Sequence, residues 1–152
     1  LVGALGIVAP GHLHRIAGRC WNVVDSTDAE LVTADDVVFV ADVERLRQLL
    51  ENLFRNAIEH GDDGVTIRVG ALTEPDGFYV ADDGPGIPPR ERAQVFESGY
   101  STATDGTGLG LAIVAEIVEA HGWEIDLIES EAGGTRFEIT GIETVDESTG
   151  AV

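Results

Sequence analysis

The stretch "GTGLGLAIVAEIVEAHGW", Gly106 to Trp123, decides how the chain is read. Gly106, Gly108 and Gly110 fall at every second position, and then the sequence turns apolar. Glycine costs roughly 0.5–1 kcal/mol relative to alanine inside a helix, so three of them at a helix start mark a need for bare backbone. The apolar spacing predicts a helix from about Thr107 to His121. Amide groups at such an N-terminus point outward, and the helix dipole adds positive potential, a combination that holds phosphate. The stretch lacks the Gly-Lys-Ser/Thr ending of a phosphate loop, since the chain has no lysine, and no strand directly precedes it as in a dinucleotide-binding fingerprint.

Two further clusters lie upstream. A helix predicted from Asp42 to about His60 carries Val43, Leu46, Leu50, Leu53 and Ala57 on an apolar stripe. Asn52 and Asn56 lie one turn apart on another face. Asparagine is a middling helix former, so the pair is either solvated surface or a place where an amide oxygen meets a hard cation such as Mg²⁺. The second cluster, "VADDGPGIPP" (Val80–Pro89), ends a strand in Asp82 and continues through Gly84 and Gly86. It reads as a turn, or as a carboxylate that accepts a hydrogen bond from an exocyclic amine such as that of adenine.

The remaining pattern gives strands at Ala29–Thr33, Asp36–Ala41, Val65–Leu72, Gly77–Asp82, Trp123–Ser130 and Thr135–Ile142, the last two forming a hairpin. Helices are expected at Pro10–Val24 and near Pro89–Phe96. Segregated strands and helices predict an α+β fold, a two-layer α/β sandwich whose mixed sheet is covered by helices on one face. A segment 1–36, a domain over 37–142 and a polar tail over 143–152 are the expected divisions.

Composition sets the outer limits. The chain of 152 residues is long enough for one domain core. It starts at leucine and contains no methionine, as a fragment of a longer protein would. No apolar run reaches the roughly 18 residues of a membrane span, and a cytoplasmic location is expected, with any membrane anchor elsewhere in the parent. Twenty-eight acidic residues face nine basic ones, all arginine, for a net charge of −19. That balance disfavours nucleic acid as a partner and, with lysine absent, suggests a halophilic surface. A single cysteine, Cys20, excludes an internal disulfide.

In sequence order, "LLENLFRNAIEH" (Leu49–His60), "VADDGPGIPP", "VFESGYSTA" (Val95–Ala103) and "GTGLGLAIVAEIVEAHG" resemble the N, G1, F and G2 boxes of sensor histidine kinase ATP-binding domains. That family belongs to the GHKL superfamily, whose Bergerat-type fold is the sandwich described, and the phrasing looks most like kinases of haloarchaea. The resemblance implies ATP and Mg²⁺ as cofactors. It assigns Asn56 to the metal, Asn52 to a neighbouring polar position near metal or phosphate, and Asp82 to the adenine amino group. Gly84, Gly86 and Ile87 shape that pocket, and His60 flanks it. Gly106, Thr107, Gly108, Leu109, Gly110 and Leu111 match the phosphate-binding G2 box, and Thr135 in "GGTRFEI" matches a threonine near the adenine. Residues from about Glu97 to Thr107 would form a lid.

The same resemblance implies a histidine-containing dimerisation domain, a response regulator and a homodimeric parent. None of His12, His14, His60 and His121 is followed by an acidic residue, so the acceptor histidine is expected outside this chain. In the ATPase branches a glutamate stands where this chain has Asn52, and an amide is no general base. Glu51, five residues from Asn56, lies about 140° around the helix. A GHKL-type ATPase and a nucleotide-binding module without transfer activity are the two rival readings. Glu59 and a lid without a cation depart from the kinase pattern; Arg55, Arg90 and Arg92 are the candidate compensating cations.

Overall fold

The computed structural model describes residues 8–23, 29–60, 64–86, 90, 110–131 and 133–145. Its elements are β1 (Val8–His12), α1 (Leu13–Val23), β2 (Glu30–Thr33), β3 (Val38–Asp42), α2 (Val43–His60), β4 (Thr66–Leu72), β5 (Gly77–Asp82), α3 (Gly110–His121), β6 (Glu124–Glu129), β7 (Thr135–Thr140) and β8 (Glu143–Thr144). The Gly106–Leu109 part of the opening stretch, Ile87 and nearly all of the expected Pro89–Phe96 helix lie outside the described residues.

The main sheet has five strands in the order β2-β4-β5-β7-β6. β2 runs parallel to β4 and every other neighbour is antiparallel, so the sheet is mixed as the pattern predicts. Strand alternation decides which face is covered. Ile67 and Val69 of β4, Phe78 and Val80 of β5, and Phe137 and Ile139 of β7 are all buried on the side shared with the helices. Arg68 is exposed, and Tyr79, Arg136 and Glu138 are half-buried on the opposite face.

The helices bury apolar stripes at three- and four-residue spacing. α1 contributes Leu13, Ile16, Ala17 and Cys20, and α3 contributes Val114, Ile117 and Val118. α2 is the spine, with Leu46, Leu49, Leu50, Leu53 and Phe54 essentially inaccessible. An aromatic cluster joins the layers: Phe39 stacks on Phe78 at 5.3 Å between centroids, and Trp123 meets both edge-on.

A second, three-stranded sheet, β1-β3-β8, was not evident from the sequence. It corrects the expected Pro10–Val24 helix, because Pro10 pairs with Val40 and His12 with Val38 in an antiparallel ladder. The helix starts at Leu13 because Asp36 caps it from outside: its Oδ1 accepts the His14 N–H at 3.0 Å. Proline is tolerated in β1 because that strand is an edge. At the other end, Glu143 and Thr144, where the polar tail was expected to begin, pair with Val40 and Phe39.

Helix ends follow local rules. Asp42 is the N-cap of α2, its Oδ1 accepting from the Arg45 N–H at 3.3 Å. α3 closes in a Schellman turn, with Gly122 at φ 75° and the N–H groups of Gly122 and Trp123 donating to Glu119 and Val118 carbonyls. His121 then fastens the end of α3 to the start of α2. Its Nε2 accepts the Asp42 N–H at 3.0 Å, its Nδ1 lies 2.8 Å from the Ile117 carbonyl, and its ring stacks on Trp123 at 3.9 Å.

Candidate functional site

Period-two alternation along β5 puts Asp82 on the same side as Phe78 and Val80, facing the helical layer rather than water. The residue is accordingly buried, at 9% exposure. An isolated buried carboxylate is costly unless it is hydrogen-bonded. Here Oδ1 accepts the Gly84 N–H at 2.9 Å and the Thr135 N–H at 3.2 Å. The first contact is a local Asx-type turn; the second reaches 53 residues along the chain to the start of β7.

The β6–β7 turn is built around this group. Ser130, buried beside it, donates its hydroxyl to the Asp82 carbonyl at 2.7 Å and accepts the Gly134 N–H at 2.9 Å. Gly134 lies so close that a Cβ there would collide with both the carbonyl and the carboxylate oxygen of Asp82. Gly86 lies against the same turn, its would-be Cβ 3.1 Å from the Gly133 carbonyl. Asp82, Gly84, Gly86 and Thr135, predicted from separate motifs, are thus one cluster. Ser130 and Gly134 were missed, although the "ESEAGGT" run (Glu129–Thr135) was legible as a turn.

The second part of the candidate site is on α2. Asn52 and Asn56 are half-buried on one helical face. Asn52 Nδ2 donates to the Gln48 carbonyl at 2.8 Å, which fixes the amide and leaves its oxygen as the group presented outward. Half-buried amide oxygens suit a hard cation that also takes water and phosphate oxygens. α3, which begins at Gly110 and buries Leu111, packs alongside α2. His60 is the last residue of α2.

Arg55 is exposed and 3.9 Å from Glu51, one turn earlier on α2. Burial, with the charge of Glu51 second, pushes the Cys20 thiol of α1 up to about 11. Arg90 is exposed, and Arg92 lies outside the described residues. A groove of about 490 Å³ on the uncovered face of the main sheet is lined by Arg68, Tyr79, Ala81 and Arg136 and reaches the back of Asp82.

This arrangement is the α+β fold of histidine kinase catalytic domains. The structure of "Mycobacterial sensor histidine kinase MprB" superposes with a TM-score of 0.79 at 26% identity, covering 91% of this chain and all of that one. Full-length ShkA in complex with AMPPNP gives a TM-score of 0.76 at 28% identity, covering 93% of this chain and 33% of that one. Residues 41–143 match the family HATPase_c, "Histidine kinase-, DNA gyrase B-, and HSP90-like ATPase", and the chain belongs to it.

Within that family the similarity is to sensor kinases. The chain is 38% identical over 107 residues to the adaptive-response sensory kinase SasA of Trichormus variabilis, covering 66% of the chain and 27% of SasA. It is 38% identical over 150 residues to the circadian input-output histidine kinase CikA of Synechococcus elongatus, covering 87% of the chain and 20% of CikA. The chain corresponds to the ATP-binding catalytic domain of these kinases and spans between a fifth and a third of their length.

Proposed function

We propose that this chain binds Mg²⁺-ATP between α2 and the Asp82 cluster and presents the γ-phosphate to a histidine on a separate dimerisation domain. The phosphohistidine then passes its phosphate to a response-regulator aspartate, and the parent kinase works as a homodimer. The observation that carries the reading is Asp82: a buried carboxylate at a strand end, held by two backbone N–H groups and aimed into the helical layer. An adenine amino group is the neutral donor such an acceptor suits.

The residue roles follow the box motifs. Asp82 accepts from the adenine amine, Gly84, Gly86 and Ile87 line the base, and Thr135 and His60 flank it. Asn56 holds the metal and Asn52 supplies a second amide oxygen beside it, while Gly106, Thr107, Gly108, Leu109, Gly110 and Leu111 cradle the phosphates. The half-buried Asn56 amide oxygen is a hard donor of the kind Mg²⁺ takes, and the ion would supply charge neutralisation on the phosphates when bound. The domain itself contributes positioning and electrostatics, since phosphoryl transfer asks little covalent chemistry of it.

Asn52 favours transfer over hydrolysis, because its amide nitrogen is committed to the Gln48 carbonyl and no amide can take a proton from water. Glu51, adjacent in sequence, lies 3.9 Å from Arg55. Incubating the chain with γ-labelled ATP and a separately supplied acceptor domain decides between readings. Acid-labile label on the acceptor histidine is expected. Free phosphate alone would favour the ATPase, and nucleotide binding without either product would favour a module lacking transfer. We further place the domain in the cytoplasm and, on the −19 charge and absence of lysine, assign it to a high-salt interior like those of haloarchaea.

A further inference from the structure

Ser130 occupies a turn whose closure does not need its side chain. Backbone bonds alone close the β6–β7 connection: the Ser130 N–H donates to the Gly134 carbonyl at 2.9 Å, and the Gly133 N–H donates to the Ser130 carbonyl at 2.9 Å. Turn serines ordinarily face water, yet this one is buried at 7% exposure. Its hydroxyl spends its single proton on the Asp82 carbonyl, 48 residues away, at 2.7 Å. It then accepts the Gly134 N–H, so both hydroxyl functions are used inside the protein.

The consequence falls on Asp82. The Ser130 hydroxyl fixes its main chain, while the next residues of the same turn fix its side chain, through the Thr135 N–H at 3.2 Å from Oδ1. Gly134 between them has no Cβ, which is what lets the turn close on both oxygens of Asp82. One hairpin therefore sets the position and the orientation of that carboxylate. Two independent features, a buried bridging hydroxyl and a position that only glycine fits, serve the same end.

We propose that Ser130 is a positioning residue for base recognition: it holds Asp82 where its carboxylate can select a 6-amino purine over a 6-oxo purine. The proposal rests on the nucleotide reading above. A hydrogen bond discriminates only when its acceptor is fixed, because a mobile carboxylate relaxes toward water or another donor when the amine is absent. The Ser130 hydroxyl is committed to the Asp82 carbonyl and the Gly134 N–H, so its loss weakens selection more than it weakens phosphate binding.

The test measures dissociation constants for Mg-ATP and Mg-ITP on the whole chain, as wild type, Ser130→Ala and Ser130→Thr, with far-ultraviolet circular dichroism to confirm folding. Wild type is expected to prefer ATP. Ser130→Ala should lose most of that preference, a drop in the ratio of about tenfold for one lost hydrogen-bond constraint. Ser130→Thr, which keeps the hydroxyl, should restore it. Should the alanine variant unfold, Ser130→Cys keeps the volume with a weak donor and is read the same way. An unchanged ratio in the folded alanine or cysteine variant, or equal weakening of both nucleotides, overturns the proposal. Wild type that binds neither nucleotide overturns the nucleotide reading itself, and with it this role of Ser130.

Discussion

Asp82 carries the account at the scale of a single residue. Converting it to asparagine keeps the size but replaces part of the acceptor with a donor, which would face the adenine amine. Asp82→Asn should weaken ATP binding by at least about tenfold, the loss expected of a charge-assisted hydrogen bond, with the fold retained; titration calorimetry reads it directly. Cys20 gives an independent check on the core. Burial, with Glu51 second, raises its thiol from 9.0 to about 11. Because the folded value lies above the unfolded one, this contribution to stability is complete below pH 9 and is lost as pH rises toward 11. Denaturant midpoints should therefore fall across that window, and a Cys20→Ala variant should show a smaller fall. An equal fall in both would place the pH sensitivity elsewhere.

At the scale of elements, the ends of helices are where single changes are most readable. Gly122 holds φ 75° with open space around its Cα, so an alanine there meets no atom and suffers only the backbone penalty. Gly122→Ala should cost about 1–2 kcal/mol, seen as a lower thermal midpoint, and leave nucleotide affinity nearly unchanged. A large loss of affinity at unaltered stability would mean that the end of α3 communicates with the site. Much of this layer was legible in the letters. Three- and four-residue spacing gave α2, and alternation gave β4, β5 and the β6–β7 hairpin. Asp82 was legible as the end of β5, but its burial was not. What stayed hidden was pairing over distance. Nothing in "VAPGH" (Val8–His12) tells it to lie against β3, since Pro10 and Gly11 look like a helix start until the ladder with Val40 and Phe39 is seen. Ser130 looked like any turn serine, because its partner Asp82 is remote in sequence. His121 was readable as a helix-end residue, but its bond to Asp42 was not.

For the whole molecule the governing quantity is charge. A net charge of −19 on a chain of 152 residues repels itself wherever salt is low. The Debye length shrinks from about 10 Å at 0.1 M to about 3 Å at 1 M, so the thermal midpoint should climb steeply between dilute buffer and molar KCl. A flat response would argue that the acidic surface is already neutralised by its own arrangement and would remove the case for a high-salt interior. The charge also bears on catalysis. With no lysine and Arg55 within 3.9 Å of Glu51, Arg90 and Arg92 are the remaining candidate cations beside a triphosphate.

The most direct test of the central claim follows backbone and side-chain amide resonances while Mg-AMPPNP is added to the chain. The largest shifts are expected at the Gly84 and Thr135 amides that bond the Asp82 carboxylate and at the Asn56 side-chain amide. Shifts confined to the Arg68–Arg136 groove on the far face of the sheet, or none at all, would contradict that claim.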